Sequence, residues 1–250
     1  MNDNGGKVVK VLISIPNEGH PPCESYANRL ENFLYLGKLQ ERTHKFEFSF
    51  LTLGRIFTPL AREEATDCML ENDFDYLFMI DDDMICPNRL FEDLYNRQVD
   101  IVGPLAFTRN YPHHPVIYDV KEGWDPKTQS YYYINHFIDH YKKDSLIECD
   151  AIGFGSVLVS RRVIEKMAKP RFMCSSGSGE DILFCNKAKK LGFKVFMDTS
   201  IKLGHLSHPI EVTEAYMEKV RKEFGYQEPI PLVPKRKTVD SGEALLILGD

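Results

Sequence analysis

The stretch Tyr76–Met84, YLFMIDDDM, decides how this chain is read. An unbroken apolar run followed by three carboxylates describes a short strand, buried on both faces, that ends in a charged turn. The same kind of run recurs on either side of it. Upstream, Lys7–Pro16 (KVVKVLISIP) is β-branched, apolar and stopped by proline, and Phe46–Leu53 (FEFSFLTL) alternates, so both read as strands. Between them, Glu24–Gln40 places Tyr26, Leu30, Phe33, Leu34, Leu36 and Leu39 at helical spacing. Pro59 opens a second helix to about Asn72, with Leu60, Ala61, Ala65, Cys68 and Met69 on one side. Downstream, Pro87 opens a helix with Leu90, Phe91 and Leu94 inward, and Asp100–Phe107 (DIVGPLAF) reads as a fourth strand. Strands alternating with helices fold as right-handed βαβ units. The expected class is therefore α/β, an αβα sandwich around a mostly parallel, Rossmann-like central sheet.

The alternation breaks up over residues 108–148, a stretch rich in Tyr, His and Asp that holds the only tryptophan, Trp124. It is expected to be an irregular insertion over the site. Regularity resumes with Cys149–Ser160, a glycine-punctuated strand. Helices at Arg161–Ala168 and Gly179–Leu191 follow, then a strand at Phe193–Met197 and a helix at Glu211–Phe224. Residues 226–250 carry Pro229, Pro231 and Pro234, a Lys235–Arg236–Lys237 cluster and an apolar end, and read as an extended tail. One domain over residues 1–225 is thus expected, with the tail behind it.

Composition narrows the function. A chain of 250 residues with 43% apolar and 27% charged residues buries a core and is not disordered. Its net charge of −6 supplies no cationic footprint for nucleic acid. No apolar run approaches the ~20 residues that cross a bilayer, and the polar start carries no leader signature. The six cysteines show no CxxC pair, which suits reduced thiols in a cytoplasmic protein. Three basic residues in the tail contribute about 3 kcal/mol at an anionic lipid surface, too little to anchor the chain. Assembly into a homo-oligomer stays open.

The acidic triplet carries the chemistry. Along a strand, alternation points Asp81 and Asp83 one way and Asp82 the other. In open parallel sheets ligands bind outside the carboxyl ends of the strands. Two close carboxylates repel unless a cation stands between them, and a hard divalent ion keeps positions open for substrate phosphates. A solvated turn ahead of the Pro87 helix is the plainer alternative. An aspartyl phosphotransferase is disfavoured, because its acidic motif follows the first strand and this triplet follows the third.

The order β-α-β-α-β-DDD, followed by Pro87 and a helix, resembles the GT-A fold of nucleotide-sugar-dependent glycosyltransferases, family 2-like, over about residues 8–208. The resemblance implies that Asp81 and Asp83, with His205 in Leu203–Gly204–His205, hold Mn²⁺ or Mg²⁺. It implies that Pro16, Asn17, Glu18, Arg62, Asp81 and Asp82 contact the nucleoside-diphosphate sugar, a UDP-sugar being the commonest donor. It makes Asp181, in Gly179–Glu180–Asp181, the general base, with Glu180 beside it. Plainer readings are an ion pair of Arg62 with Glu63 or Glu64, a helix-dipole role for Glu180 and Asp181, and His208 in place of His205. Asp150 and Gly153–Phe154–Gly155 fall on the acceptor side. His113, His114, Trp124 and Tyr131–Tyr133 are either an aromatic sugar platform or ordinary packing. Two departures stand out: Glu63 follows Arg62 where the family commonly has Asn, and Leu51–Arg55 lacks the Asp that reads the nucleobase. The expected activity is transfer of a sugar to an acceptor hydroxyl. The alternatives are a nucleotidyltransferase, for which the glycine-rich loop after the first strand is missing, and a non-catalytic nucleotide-sugar or glycan-binding module.

Overall fold

Residues of β-branched and apolar strands alternate between two cores, and that alternation builds the layers. In the computed structural model, which describes residues 7–17, 21–54, 56–175, 177–207, 210–226 and 238–239, the chain runs as follows. The first part is β1 (Val9–Asn17), α1 (Cys23–Thr43), β2 (Phe46–Gly54), α2 (Thr58–Glu71), β3 (Tyr76–Ile80), β4 (Met84–Ile85), α3 (Leu90–Tyr95) and β5 (Ile101–Leu105). Next come β6 (Ile117–Asp125), β7 (Ser130–Phe137), β8 (Leu146–Cys149), β9 (Ala151–Ile152), β10 (Ser156–Ser160), α4 (Arg161–Lys166) and α5 (Glu180–Lys190). The chain closes with β11 (Val195–Lys202), β12 (Gly204–Ser207), β13 (Ile210–Val212), α6 (Glu214–Glu223) and β14 (Thr238–Val239).

The central sheet has eight strands in the order β14-β8-β11-β5-β10-β3-β1-β2. β1 pairs parallel with β2 and β3, and β11 parallel with β5. β10 runs against β3 and β5, and β8 against β11 and β14. The expected α/β sandwich is what forms, with most strands running one way and β10 and β8 reversed. On one face Val11, Ile13, Ile15, Phe78 and Ile80 pack with Leu36 and Leu39 of α1 and Leu90, Phe91 and Leu94 of α3. On the other, Leu12, Leu77, Met79, Val157 and Val159 pack with Ala65 and Met69 of α2, Val163 and Ile164 of α4, and Phe184 and Ala188 of α5. Period-two burial on both faces is what makes these strands read as continuous apolar runs. No helix among the described residues is long and apolar enough to cross a membrane.

Three expectations change. Residues 108–148 are irregular only over 108–116 and 138–145. They hold an antiparallel hairpin, β6–β7, registered from Tyr118↔Phe137 to Asp125↔Ser130, and then β8 of the central sheet. Its turn is an Asx turn, in which Asp125 Oδ1 accepts from the Lys127 amide at 2.9 Å. The Asp125–Pro126 pair was the legible sign of it. The glycine-punctuated strand 149–160 divides into β8, β9 and β10 around Gly153–Gly155. A Cβ at Gly155 would lie 2.8 Å from the Met84 methyl, so a side chain there would have to push the end of Met84 aside. Of the expected tail, Thr238–Val239 form β14 against β8, and the stretches 227–237 and 240–250 lie outside the described residues.

Candidate active site

β1 and β3 run side by side in register, Ser14 opposite Met79, so their carboxyl ends reach the same sheet edge. The Asp81 amide continues the pairing by donating to the Gly155 carbonyl at 2.8 Å. The chain then turns, with the Met84 amide donating to the Asp81 carbonyl at 3.4 Å. Asp81–Asp83 therefore lie in a turn and not on the strand, and strand alternation does not orient them: Asp81 and Asp83 meet different partners. The turn is held by a polar stripe on α1. Ser25 Oγ donates to the Asp82 carbonyl at 2.5 Å and Arg29 to the Asp81 carbonyl at 3.0 Å. Asn28 makes a two-way bond with the Cys86 backbone at 2.7 and 3.0 Å, and Asn32 adds another at 3.2 Å. Reading α1 by its apolar residues alone missed this stripe. The signal was present in polar residues at positions 25, 28, 29 and 32, the i, i+3, i+4, i+7 spacing of one helix face.

Arg62 is buried at 2% exposure. One terminal nitrogen donates to both Asp81 oxygens at 2.9 and 3.1 Å and to the Phe154 carbonyl at 3.2 Å. The other donates to Glu180 Oε1 at 2.6 Å. Arg62 thus joins the aspartate turn to the start of α5 and pairs with neither Glu63 nor Glu64; Glu63 pairs with Arg171 instead. Both terminal nitrogens are committed to carboxylates, so the guanidinium joins the two acidic segments from within. A buried charge so enclosed must keep its partners, because losing one leaves an uncompensated ion. Burial pushes Asp81 above the usual carboxylate range despite the opposing charge of Arg62.

Asp83 faces the other way. Its Oδ2 lies 2.6 Å from Arg109 Nη2 and 3.2 Å from His205 Nε2. His205 Nδ1 sits 2.7 Å from the Phe107 carbonyl. A carbonyl only accepts, so Nδ1 carries the proton and the Nε2 lone pair accepts from Arg109 Nε at 3.0 Å. Burial raises the Asp83 pKa, but the opposing groups around it, the Arg109 guanidinium among them, outweigh that and hold the carboxyl below its usual range. Among the described residues no three His, Cys, Asp or Glu side chains gather around one point. Of the three expected ligands, Asp81 is engaged by Arg62. Asp83 and His205 remain, one oxygen and one nitrogen donor converging, with the second histidine nitrogen anchored as metal-binding histidines are. That donor pair suits a borderline divalent ion that fills its other positions with phosphate oxygens.

Asp181 stands at the N-terminus of α5, half-buried, and its Oδ1 accepts from the Ile182 amide at 2.8 Å. A Cβ at Gly179 would come within 2.8 Å of that oxygen, so glycine gives the carboxylate its room. The Asp181 pKa is pushed up to about 6 by burial, with Arg62 opposing the rise and Glu180 and Asp81 adding to it. Glu180 is gripped by Arg62; Asp181 has no cation bonded to it among the described residues. The hairpin lies across this corner: Asn135 donates to the Gly177 carbonyl at 2.7 Å and to Ser178 Oγ at 2.8 Å.

The remaining candidates separate. Pro16 and Asn17 end β1 at the same edge, opposite Leu53 and Gly54. Asp82 is half-buried, its backbone held by Ser25. Glu18 and His208 lie outside the described residues. Asp150 bonds the Val120 amide and Lys189 at the far end of α5, away from Asp181. Gly153 makes room for Val116. His114 stacks on Phe137 at 4.2 Å and bonds Asp139, which is packing. Trp124 and Tyr131 meet edge-on at 4.8 Å, and both are exposed.

No family model matches the chain, and no curated protein does. Among solved structures, A197 from STIV superposes with a TM-score of 0.54 at 21% identity, over 83% of this chain and 92% of that one. The likeness is one of fold. GalNAc-T7 with UDP, GalNAc and Mn²⁺ reaches a TM-score of 0.43 at 13% identity, over 82% of this chain and 45% of that one. Apo UDP-glucose pyrophosphorylase reaches 0.44 at 11% identity, over 88% and 99%.

Proposed function

We propose that the chain is a GT-A type glycosyltransferase that moves a sugar from a nucleoside-diphosphate sugar, a UDP-sugar in the first instance, to an acceptor hydroxyl. The observation that carries this reading is the meeting of two unlike poles at one sheet edge. One is the Asp83–His205 donor pair; the other is Asp181, a carboxylate poised near pH 6. Arg62 ties them together through Asp81 and Glu180.

Asp83 and His205 would hold Mn²⁺ or Mg²⁺, which supplies Lewis-acid neutralisation of the diphosphate's charge. Pro16, Asn17 and Asp82 contact the donor from the ends of the first and third strands. Asp181 accepts the proton of the acceptor hydroxyl as that oxygen bonds to the anomeric carbon. The bond from that carbon to the diphosphate oxygen breaks, and its electron pair leaves with the oxygen. A base near pH 6 is ionised at neutral pH yet still basic enough to share a proton in the transition state. A single displacement by this route inverts the anomeric configuration. Arg62 is a positioning residue: its charge keeps Asp181 from being raised further and fixes Glu180 at its side.

A panel of nucleoside-diphosphate sugars incubated with the chain and Mn²⁺ tests the reading. One donor should release free nucleoside diphosphate, faster with an acceptor and not at all with excess EDTA. Pyrophosphate release from a nucleoside triphosphate and a sugar 1-phosphate would instead mark a nucleotidyltransferase. A chain that binds a donor and releases nothing is a binding module, and the proposal fails.

A further inference from the structure

Arg109 lies just past β5, is 55% exposed, and touches both atoms that the proposed cation would take. Its Nη2 is 2.6 Å from Asp83 Oδ2, and its Nε donates to His205 Nε2 at 3.0 Å. A guanidinium has only donors and no lone pair to lend, so it cannot become a ligand beside these residues. Arg109 and a divalent ion are therefore alternatives for the same two donor atoms.

We propose that Arg109 is a displaceable resident cation of the Asp83–His205 pair, one that weakens metal binding on its own and ties it to arrival of the anionic donor. The inference rests on the glycosyltransferase reading of the site. The His205 ring and the Asp83 backbone are fixed independently of Arg109. His205 is anchored through Nδ1 to the Phe107 carbonyl, and the Asp83 carbonyl accepts from the Leu206 amide at 3.0 Å. Only the guanidinium has to move, and its exposure gives it somewhere to go. This sets it apart from Arg62, which is enclosed and bonded on every side but Nε. An ion entering alone must break both Arg109 bonds and then sit beside a stranded positive charge. A diphosphate changes that balance, because its oxygens match the planar fork of a guanidinium. Metal and nucleotide then favour each other's binding, and the coupling is reciprocal.

Calorimetric titration of Mn²⁺ into the full chain, Arg109→Ala and Arg109→Lys, each with and without saturating UDP, tests this. Without UDP, Arg109→Ala should bind Mn²⁺ about fivefold more tightly than the parent, the factor that ~1 kcal/mol represents for a half-exposed pair. Arg109→Lys should fall between, since an ammonium cannot fork onto both atoms. With UDP the parent should gain more than Arg109→Ala, closing the gap to within about twofold. Thermal melts of all three should coincide, as the side chain is half-exposed. If Arg109→Ala binds Mn²⁺ no more tightly than the parent without UDP, the proposal is overturned while the parent's own Mn²⁺ binding still supports the site. If the parent binds no Mn²⁺ even with UDP, the reading of the site falls and takes this inference with it.

Discussion

Asp83→Ala is expected to lower kcat/KM by about 10³-fold or more, the scale of losing a charge-stabilising group at a departing oxyanion. Its melting temperature should stay within a few degrees of the parent. The two effects separate because the Asp83 side chain and its backbone do different things. The backbone carbonyl accepts from the Leu206 amide, and β4 pairs with β12 at His205↔Met84 whatever side chain is present. Of the two partners that the substitution strands, Arg109 is half-exposed and returns to water, so little stability goes with it. His205 keeps its bond to Phe107. Initial-rate assays with a cleaved donor, alongside a thermal melt, check both parts. Parental turnover in a folded Asp83→Ala chain would remove Asp83 from the chemistry.

Asp181→Asn is expected to divide function from stability in the opposite sense. Turnover should fall by about 10²–10⁴-fold, the range for loss of a general base. In the parent, kcat/KM should decline below about pH 6 as Asp181 takes up a proton, roughly tenfold per pH unit, and that limb should vanish from the variant's residual activity. Stability follows from linkage. The folded-state pKa of Asp181, about 6, lies above its unfolded value, so the folded chain holds the proton more tightly and ionisation costs stability as pH rises through that window. Above pH 6 the cost is up to ~3 kcal/mol, at about 1.4 kcal/mol per pH unit. Asp181→Asn removes it, so the variant should melt higher than the parent at pH 7–8, with the difference gone below about pH 4. A variant–parent difference that is the same at pH 7–8 and at pH 4 would mean that Asp181 ionises without strain.

The fold was legible because its strands are apolar on both faces, and Val11 through Ile15 and Leu77 through Ile80 each feed two cores. The hairpin β6–β7 was hidden by its exposed aromatic and polar residues, which mask strand alternation, although Asp125–Pro126 marked its turn. In the site, His205 and Asp83 come within 3.2 Å of each other because both follow strands that end at one edge. The error over Asp81 came from extending strand geometry one residue past Ile80, where the chain already turns. The sequence alone points Arg62 at a phosphate, because its helix starts at that edge. What no local pattern discloses is that Glu180, 118 residues away in sequence, is there to receive it. Arg109 escaped notice for the same reason: a basic residue after a strand is ordinary until the fold brings Asp83 and His205 to it.

The central claim is a cation gripped between the aspartate turn and His205 with a diphosphate on its far side. A crystal of the chain soaked with Mn²⁺ and UDP, measured at the manganese absorption edge, tests it most directly. One anomalous peak is expected within bonding distance of Asp83 Oδ2 and His205 Nε2, with both phosphates of UDP on its open side and Asp81 still on Arg62. An anomalous peak elsewhere, or UDP bound with its phosphates remote from Asp83, would contradict it.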